Sequence, residues 1–114
     1  MDMIFDVMFK EMKTAHVEVK NNQVKVDSYS NNPFMQPFQM KNPNMFDVHE
    51  FFVDRWFEPI RPDYQQLCDA VGVPDKNIYK IVRKTHGICY EDLLWVRFEG
   101  EENLTWEELS HARD

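Results

Sequence analysis

The chain has few of the residues on which several protein classes depend. Its 114 residues include only three glycines, and no two are close enough for a phosphate-binding loop. Two cysteines, Cys68 and Cys89, are too few for a disulfide framework and are not spaced as CxxC. No apolar run approaches the roughly 18 residues of a membrane span, and the N-terminus lacks the basic start of a signal peptide. We therefore expect a cytoplasmic protein with free thiols, and neither a nucleotide-loop enzyme nor a membrane-spanning protein.

Positive charge is scarce as well. Thirteen lysines and arginines stand against 20 aspartates and glutamates, which gives a net charge of -7 with neutral histidines. A protein this acidic is repelled by nucleic acid over most of its surface. Apolar residues make up 43% and aromatic residues 14% of the chain, which is enough for a hydrophobic core. Length and composition together predict one domain over residues 1–114.

Alternating apolar and polar residues in the first thirty positions predict three antiparallel strands. The strands are expected near residues 3–11, 14–20 and 23–30, with one apolar and one wetter face. Asn21 and Asn22 suit a two-residue hairpin turn, because asparagine tolerates positive φ. Residues 31–44 form a connection rich in proline, asparagine and methionine, which either covers the core or displays an adaptable apolar surface.

Residues 45–87 have the apolar spacing of three helices. The second and third helices are each expected to begin with a Pro-Asp pair, since both residues favour the first helical turn. The expected helix ends are at about Phe57, Gly72 and Gly87.

Two further elements complete the predicted fold. Residues 94–98 read as a strand that pairs with the N-terminal hairpin, and residues 105–112 as a short acidic helix. Thr105 and Glu108 have the spacing of a capping box that opens this helix. The order predicts an α+β fold: an N-terminal three-stranded meander plus the later strand form a small antiparallel sheet, packed against three to four short helices on one face.

The negative charge is concentrated near the C-terminus. Residues 61–90 carry five basic and three acidic side chains, whereas residues 91–114 carry two basic and eight acidic ones, a net charge of -6. We interpret the acidic segment as a docking surface for a basic protein, with a tryptophan as apolar anchor. The candidate partner-binding residues are Glu91, Asp92, Glu99, Glu101, Glu102, Trp106, Glu107 and Glu108.

An alternative interaction surface lies in residues 66–84. Their apolar spacing and Gly72 imitate a helix-turn-helix, whose second helix would present basic side chains to a DNA groove. These candidate nucleic-acid-binding residues are Lys76, Lys80, Arg83 and Lys84. Asp75 stands at the start of that helix, and the acidic remainder of the chain opposes DNA at long range.

Catalytic and metal-binding patterns are weak. His86 and Cys89 have H-x-x-C spacing, but a structural zinc needs four ligands and no second pair is present. Neither cysteine lies in a signature of a nucleophile, and Cys68 belongs to an apolar helix face. We therefore expect a protein that is not an enzyme and that uses no metal or cofactor.

Three segments carry a resemblance to a known group. These are Phe-Phe-Val-Asp-Arg-Trp-Phe at 51–57, the run ending Lys-Thr-His-Gly at 78–87, and Glu-Asp-Leu-Leu-Trp-Val-Arg-Phe at 91–98. They resemble small accessory proteins of bacterial mobile elements and prophages, often encoded beside HipA-like kinases. The chain differs in Trp56, where the group has cysteine, and in Glu91, where it has aspartate. The resemblance implies a non-enzymatic accessory protein and fixes no site residue.

In size and charge the chain also resembles the anti-CRISPR class of phage and plasmid proteins. CRISPR effectors hold nucleic acid in positively charged channels, which an acidic protein can occupy. The expected function is therefore an inhibitor of a nucleic-acid-handling effector. The alternative is an antitoxin-like or accessory partner of a HipA-type kinase, with weak DNA binding through residues 66–84. An open sheet edge can also pair two copies, so a homodimer is considered.

Overall fold

A computed structural model describes residues 2–89 and 91–112, apart from the side chains of 110–112. The elements are β1 (Met3–Phe9), β2 (Met12–Lys20), β3 (Gln23–Ser28), α1 (Met45–Val53), α2 (Tyr64–Ala70), α3 (Ile78–Thr85), β4 (Leu94–Phe98) and α4 (Trp106–Ala112). One antiparallel sheet has the strand order β3-β2-β1-β4. The predicted α+β fold is confirmed.

The hairpin between β2 and β3 forms where the sequence places it. Asn21 and Asn22 have φ of 52° and 63°, the left-handed values that a two-residue hairpin of this kind requires. Lys20 therefore lies opposite Gln23, and the register continues with Val17 opposite Val26. The turn thus sets the pairing of the whole hairpin.

The sheet has two faces of different character. The inner face packs its apolar side chains, such as Phe5, Val17 and Phe98, against buried residues of α1, α2 and α3. The outer face carries the alternate positions of the same strands, among them Asp6, Met8, His16, Trp95 and Arg97. Most of the outer face is therefore polar, as the alternation predicts.

One helix lies on the side opposite to the others. Met8 and Trp95 are opposed on the outer face, and Leu109 of α4 packs against both, forming a second small core. The expectation that all helices share one face is wrong for α4. Two large apolar side chains on the wetter face need a cover, because leaving them in water is unfavourable.

Two helix boundaries differ from those expected. α1 begins with a capping box between Asn44 and Asp47, but it ends at Val53, short of Phe57, because the chain turns there to bury Arg55. α3 begins after Asn77, whose side chain accepts hydrogen bonds from two backbone N–H groups, and not at the Pro-Asp pair. The interior of α3 is as predicted, since Ile78, Ile81 and Val82 are buried.

The 31–44 connection has both of the properties considered for it. Phe38 is buried in the inner core, and Gln36 is fully buried beside it, donating to the Phe38 carbonyl. Phe34 in contrast is 82% exposed, and Met40 is exposed as well. The connection therefore covers the core with some side chains and displays others.

Candidate functional site

The predicted partner-binding residues fall into three groups in the structure. Glu91 and Asp92 lie between α3 and β4, Glu99 to Glu102 follow β4, and Trp106 to Glu108 begin α4. Each group has a different environment, so the acidic segment is not one continuous surface.

Asp92 belongs to a buried clamp centred on Arg55. Arg55 is 5% exposed, and its guanidinium donates from Nη1 to Asp92 Oδ2 and from Nη2 to Asp92 Oδ1, both at 2.7 Å. Its Nε donates to the Gly87 carbonyl at 2.7 Å, and Nη2 also donates to the Leu94 carbonyl at 2.9 Å. Burial opposes ionisation of Asp92, but the Arg55 hydrogen bonds and charge prevail and lower the pKa of the Asp92 carboxyl. The clamp joins the three segments 51–57, 78–87 and 91–98.

Glu101 is also used within the chain. One carboxylate oxygen lies 2.8 Å from His86 Nε2, and the other accepts the Phe98 backbone N–H at 2.8 Å. Asp92 similarly accepts the Leu94 N–H at 3.2 Å, and the His86 carbonyl accepts the Val96 N–H at 2.8 Å. These groups therefore seal the free edge of β4. A partner contact by Asp92 or Glu101 stays a prediction.

An acidic cleft opens on the outer face of the sheet. It has a volume of about 210 Å³. Its charged lining consists of four carboxylates and one guanidinium, which gives -3 with neutral His16; these residues are Asp6, Glu18, Glu99, Glu102 and Arg97. Glu18, Glu99 and Glu102 are exposed. We call this site the acidic cleft.

Asp6 organises the floor of the acidic cleft. It accepts from Arg97 Nη2 at 3.0 Å and lies 2.7 Å from His16 Nδ1, and Lys13 Nζ is 4.0 Å away. The β1–β4 register places Asp6 opposite Arg97, and the β1–β2 register places it opposite His16. Three strands therefore bring these side chains together.

The protonation states of His16 and Glu102 set the net charge of the acidic cleft. The hydrogen bond to Asp6 is the main cause that raises the pKa of His16, and Glu18, 3.3 Å from the other ring nitrogen, adds to the increase. Backbone N–H groups at Glu102 and Gly100 lower the pKa of the Glu102 carboxyl and keep it ionised. The acidic cleft is therefore negative at neutral pH, and it becomes less so when His16 takes up a proton.

α4 lies on the same outer face of the sheet as the acidic cleft, because its Leu109 packs against Met8 and Trp95. Glu107 and Glu108 are exposed, and the Glu108 N–H donates to Thr105 Oγ1 at 3.3 Å, which is one of the two hydrogen bonds of the predicted capping box. Trp106 is half-buried against the Met8–Trp95 core. Its role as an apolar anchor for a partner stays a prediction.

Glu91 lies elsewhere, in a groove of about 470 Å³ between the ends of α1 and α3. This groove is lined by apolar side chains, including Trp56, Phe57 and Ile88, and by Lys84 and His86. Glu91 therefore lines a different cavity from the carboxylates of the acidic cleft.

The alternative cationic surface is carried by α3 and the residue Lys76 before it. Lys76, Lys80, Arg83 and Lys84 are all exposed. Asp75 pairs with Lys80 at 2.7 Å, and the Arg83 guanidinium lies 4.5 Å from the centre of the Phe98 ring. Two of the four cations thus already have partners within the chain. DNA contact by this surface stays a prediction.

Neither a metal-binding cluster nor a membrane-spanning helix is found in the part of the chain that the structure describes. Within residues 2–89 and 91–112, no three His, Cys, Asp or Glu side chains are grouped so that they would hold a metal ion. His86 of the H-x-x-C pair faces Glu101, and Cys68 is fully buried in the core. None of the helices in these ranges is long and apolar enough to cross a membrane.

Sequence reasoning missed the centre of the acidic cleft. Asp6, His16 and Glu18 lie on the polar face of β1 and β2, and Arg97 sits within a strand of otherwise apolar residues. An arginine in such a strand, with an aspartate on a neighbouring polar face, was the available signal.

A scan against protein-family models finds no match, and comparisons with curated proteins and with solved structures find no significant similarity.

Proposed function

We propose that the chain is a non-enzymatic binding module that docks its outer face onto a basic protein surface. The observation that carries the proposal is the acidic cleft, where four carboxylates surround one arginine. Glu107 and Glu108 extend the negative charge over α4 on the same face. Opposite potentials accelerate the encounter of two proteins and fix their orientation.

The partner class we propose is a nucleic-acid-handling effector of the CRISPR type. Such effectors hold guide RNA and DNA in a positively charged channel, and they contact phosphates with lysine and arginine. A surface of closely spaced carboxylates offers these cations the same kind of ligand. Occupation of the channel would exclude DNA and inhibit the effector.

The test is inhibition of DNA binding and cleavage by a purified Cas9 loaded with guide RNA. The informative variant combines Glu99→Lys with Glu102→Lys, which reverses two exposed carboxylates of the acidic cleft. We expect the wild-type chain to inhibit and the variant to need an at least tenfold higher concentration, because like charges then meet. Raising the salt concentration should weaken the wild-type effect.

A control variant with the same change in net charge isolates the role of the outer face. Glu50→Lys with Glu58→Lys alters two exposed carboxylates in α1 and just after it, on the inner-face side of the molecule. Inhibition should be retained in this control. Equal loss in both variants, or no inhibition by the wild-type chain, would overturn the proposal.

The α3 surface supports the alternative, a kinase accessory that touches DNA. Its supporting observation is the exposure of Lys80, Arg83 and Lys84 on one short helix. A gel shift with the chain alone distinguishes the two functions. Duplex binding that weakens with salt and with Lys80→Glu would favour the alternative.

A further inference from the structure

The two edge strands of the sheet differ in how their backbone groups are satisfied. In the β1–β4 ladder, the Lys10 N–H donates to the Leu93 carbonyl and the Glu99 N–H donates to the Ile4 carbonyl. Hydrogen-bonded pairs alternate with pairs that are not, so the backbone groups of Leu94, Val96 and Phe98 point away from β1. All three N–H groups are satisfied, by Asp92 Oδ1, the His86 carbonyl and Glu101 Oε1. β4 therefore cannot accept another strand.

β3 has no such cover. Its two-residue turn makes Lys20 and Gln23 a hydrogen-bonded pair, and the Tyr29 N–H donates to the Thr14 carbonyl at 2.8 Å at the other end of the ladder. The backbone groups of Val24, Val26 and Ser28 consequently point away from β2. Within the described part of the chain, no group bonds to them.

We propose that β3 pairs antiparallel with β3 of a second copy, which joins two four-stranded sheets into one sheet of eight strands. The register that we assign places Val26 opposite Val26 of the second copy, across the two-fold axis. Val24 then lies opposite Ser28, and the backbone groups of both residues are among those that point away from β2. The pairing supplies the missing partners of the open edge.

Charge complementarity selects this register and the second copy as the occupant. Lys25 and Asp27 are exposed on the outer face of β3, and the symmetric register places each Lys25 opposite Asp27 of the other copy. A shift by two residues in either direction instead opposes Lys25 to Lys25 or Asp27 to Asp27. A shift by one residue puts the apolar face of one copy on the polar face of the other.

Apolar burial adds to the same pairing. Val24 and Val26 are only half-buried at the rim of the inner core, because no strand follows them. In the dimer the valines of one copy lie beside those of the other on the inner face. The assembly also closes at two copies, since the second edge of each sheet is sealed.

The test uses the full chain and measures its mass in solution by sedimentation velocity at increasing concentration. We expect a species of twice the 13.8 kDa of the chain. Lys25→Asp and Asp27→Lys are the two single variants, and each puts like charges opposite each other at both symmetric positions. Each alone should raise the dimer dissociation constant about tenfold or more.

An equimolar mixture of the two variants provides the decisive control. Every position 25 then faces an opposite charge at position 27, so the mixture should recover the dimer that neither variant forms alone. Recovery also demonstrates that both variants fold. The proposal is overturned by a monomeric wild-type chain at its highest soluble concentration, by dimers that ignore both substitutions, or by a mixture that stays monomeric.

Discussion

β4 and β3 are both edge strands of one sheet, yet their charged residues do opposite things. Along β4, Arg55 pairs with Asp92 and donates to the Leu94 carbonyl, and Glu101 accepts the Phe98 N–H, so the strand is sealed. Along β3, Lys25 and Asp27 are exposed and the backbone is open. The hydrogen bonds that a charged side chain already makes within the chain thus show whether it completes the fold or is available to a partner.

The largest expected effect comes from breaking the sealed side at Arg55. Arg55→Ala leaves Asp92 half-buried without its cation and removes the guanidinium donors of the Gly87 and Leu94 carbonyls. We expect a loss of about 3–5 kcal/mol in the free energy of unfolding, measured by urea denaturation. This loss is comparable to the whole stability of a marginal domain.

The exposed pair Arg61–Asp63 is the matched control for the buried clamp. It has similar contacts, at 2.9 Å and 3.1 Å, but both side chains are close to half exposed. Arg61→Ala should therefore change the stability little, because water replaces the lost partner. Equal effects of the two substitutions would contradict the assigned role of the clamp.

A smaller effect is expected at Gly87, whose carbonyl accepts from Arg55. Gly87 has φ of +65°, and an added Cβ would lie 3.3 Å from Arg55 Cβ and Cγ. Backbone strain and crowding against the clamp together predict a loss of about 2–3 kcal/mol for Gly87→Ala. Thermal unfolding measures the change.

A substitution at Gly100 separates the cost of backbone strain from the cost of crowding. Gly100 also has positive φ, +91°, but nothing lies within 4 Å of an added Cβ. Gly100→Ala should cost about 1 kcal/mol from strain alone. A larger loss at Gly100 than at Gly87 would contradict the crowding at the clamp.

The smallest effect concerns pH and contrasts the outer face with the clamp. The raised pKa of His16 means that its protonated form is stabilised by folding, so this contribution is complete below the ordinary value of 6.5. It is lost as the pH rises through the higher value of the folded state. Asp92 behaves in the opposite way: its lowered pKa gives stability above 3.8 that is lost only in stronger acid.

His16→Gln tests this contrast, since glutamine stays neutral at every pH. The wild-type chain should exceed the variant in stability at about pH 5.5, and the difference should shrink by about pH 8.5. Urea denaturation at both pH values measures it. A difference that is independent of pH would show that His16 contributes through packing alone.

Local signals in the sequence were sufficient for most of the fold. Asn21 and Asn22 fix a turn by their own conformational preference, and Ile78, Ile81 and Val82 mark a helix face within one short segment. The side of the sheet on which α4 lies is different. It depends on Met8 and Trp95 becoming neighbours across two strands that are far apart in the sequence.

Dependence on contacts between distant segments also explains why the acidic cleft could not be predicted from the sequence. The carboxylates near the C-terminus are visible in the sequence, but their division between edge sealing and the acidic cleft depends on the strand register. Asp6 meets Arg97 only because β1 and β4 are paired, and Asp92 meets Arg55 only because the chain turns after α1. Charge counting identifies the acidic segment and cannot assign its members.

The small core under α4 also has a consequence for local opening of the molecule. Met8, Trp95 and Leu109 form a cluster separate from the inner core, which includes Phe5, Phe52 and Val82. Detaching α4 therefore exposes an apolar strip of the sheet while the inner-face helices keep their packing. Local opening of this kind would start at the C-terminal end and turn a covered outer face into a hydrophobic one before global unfolding begins.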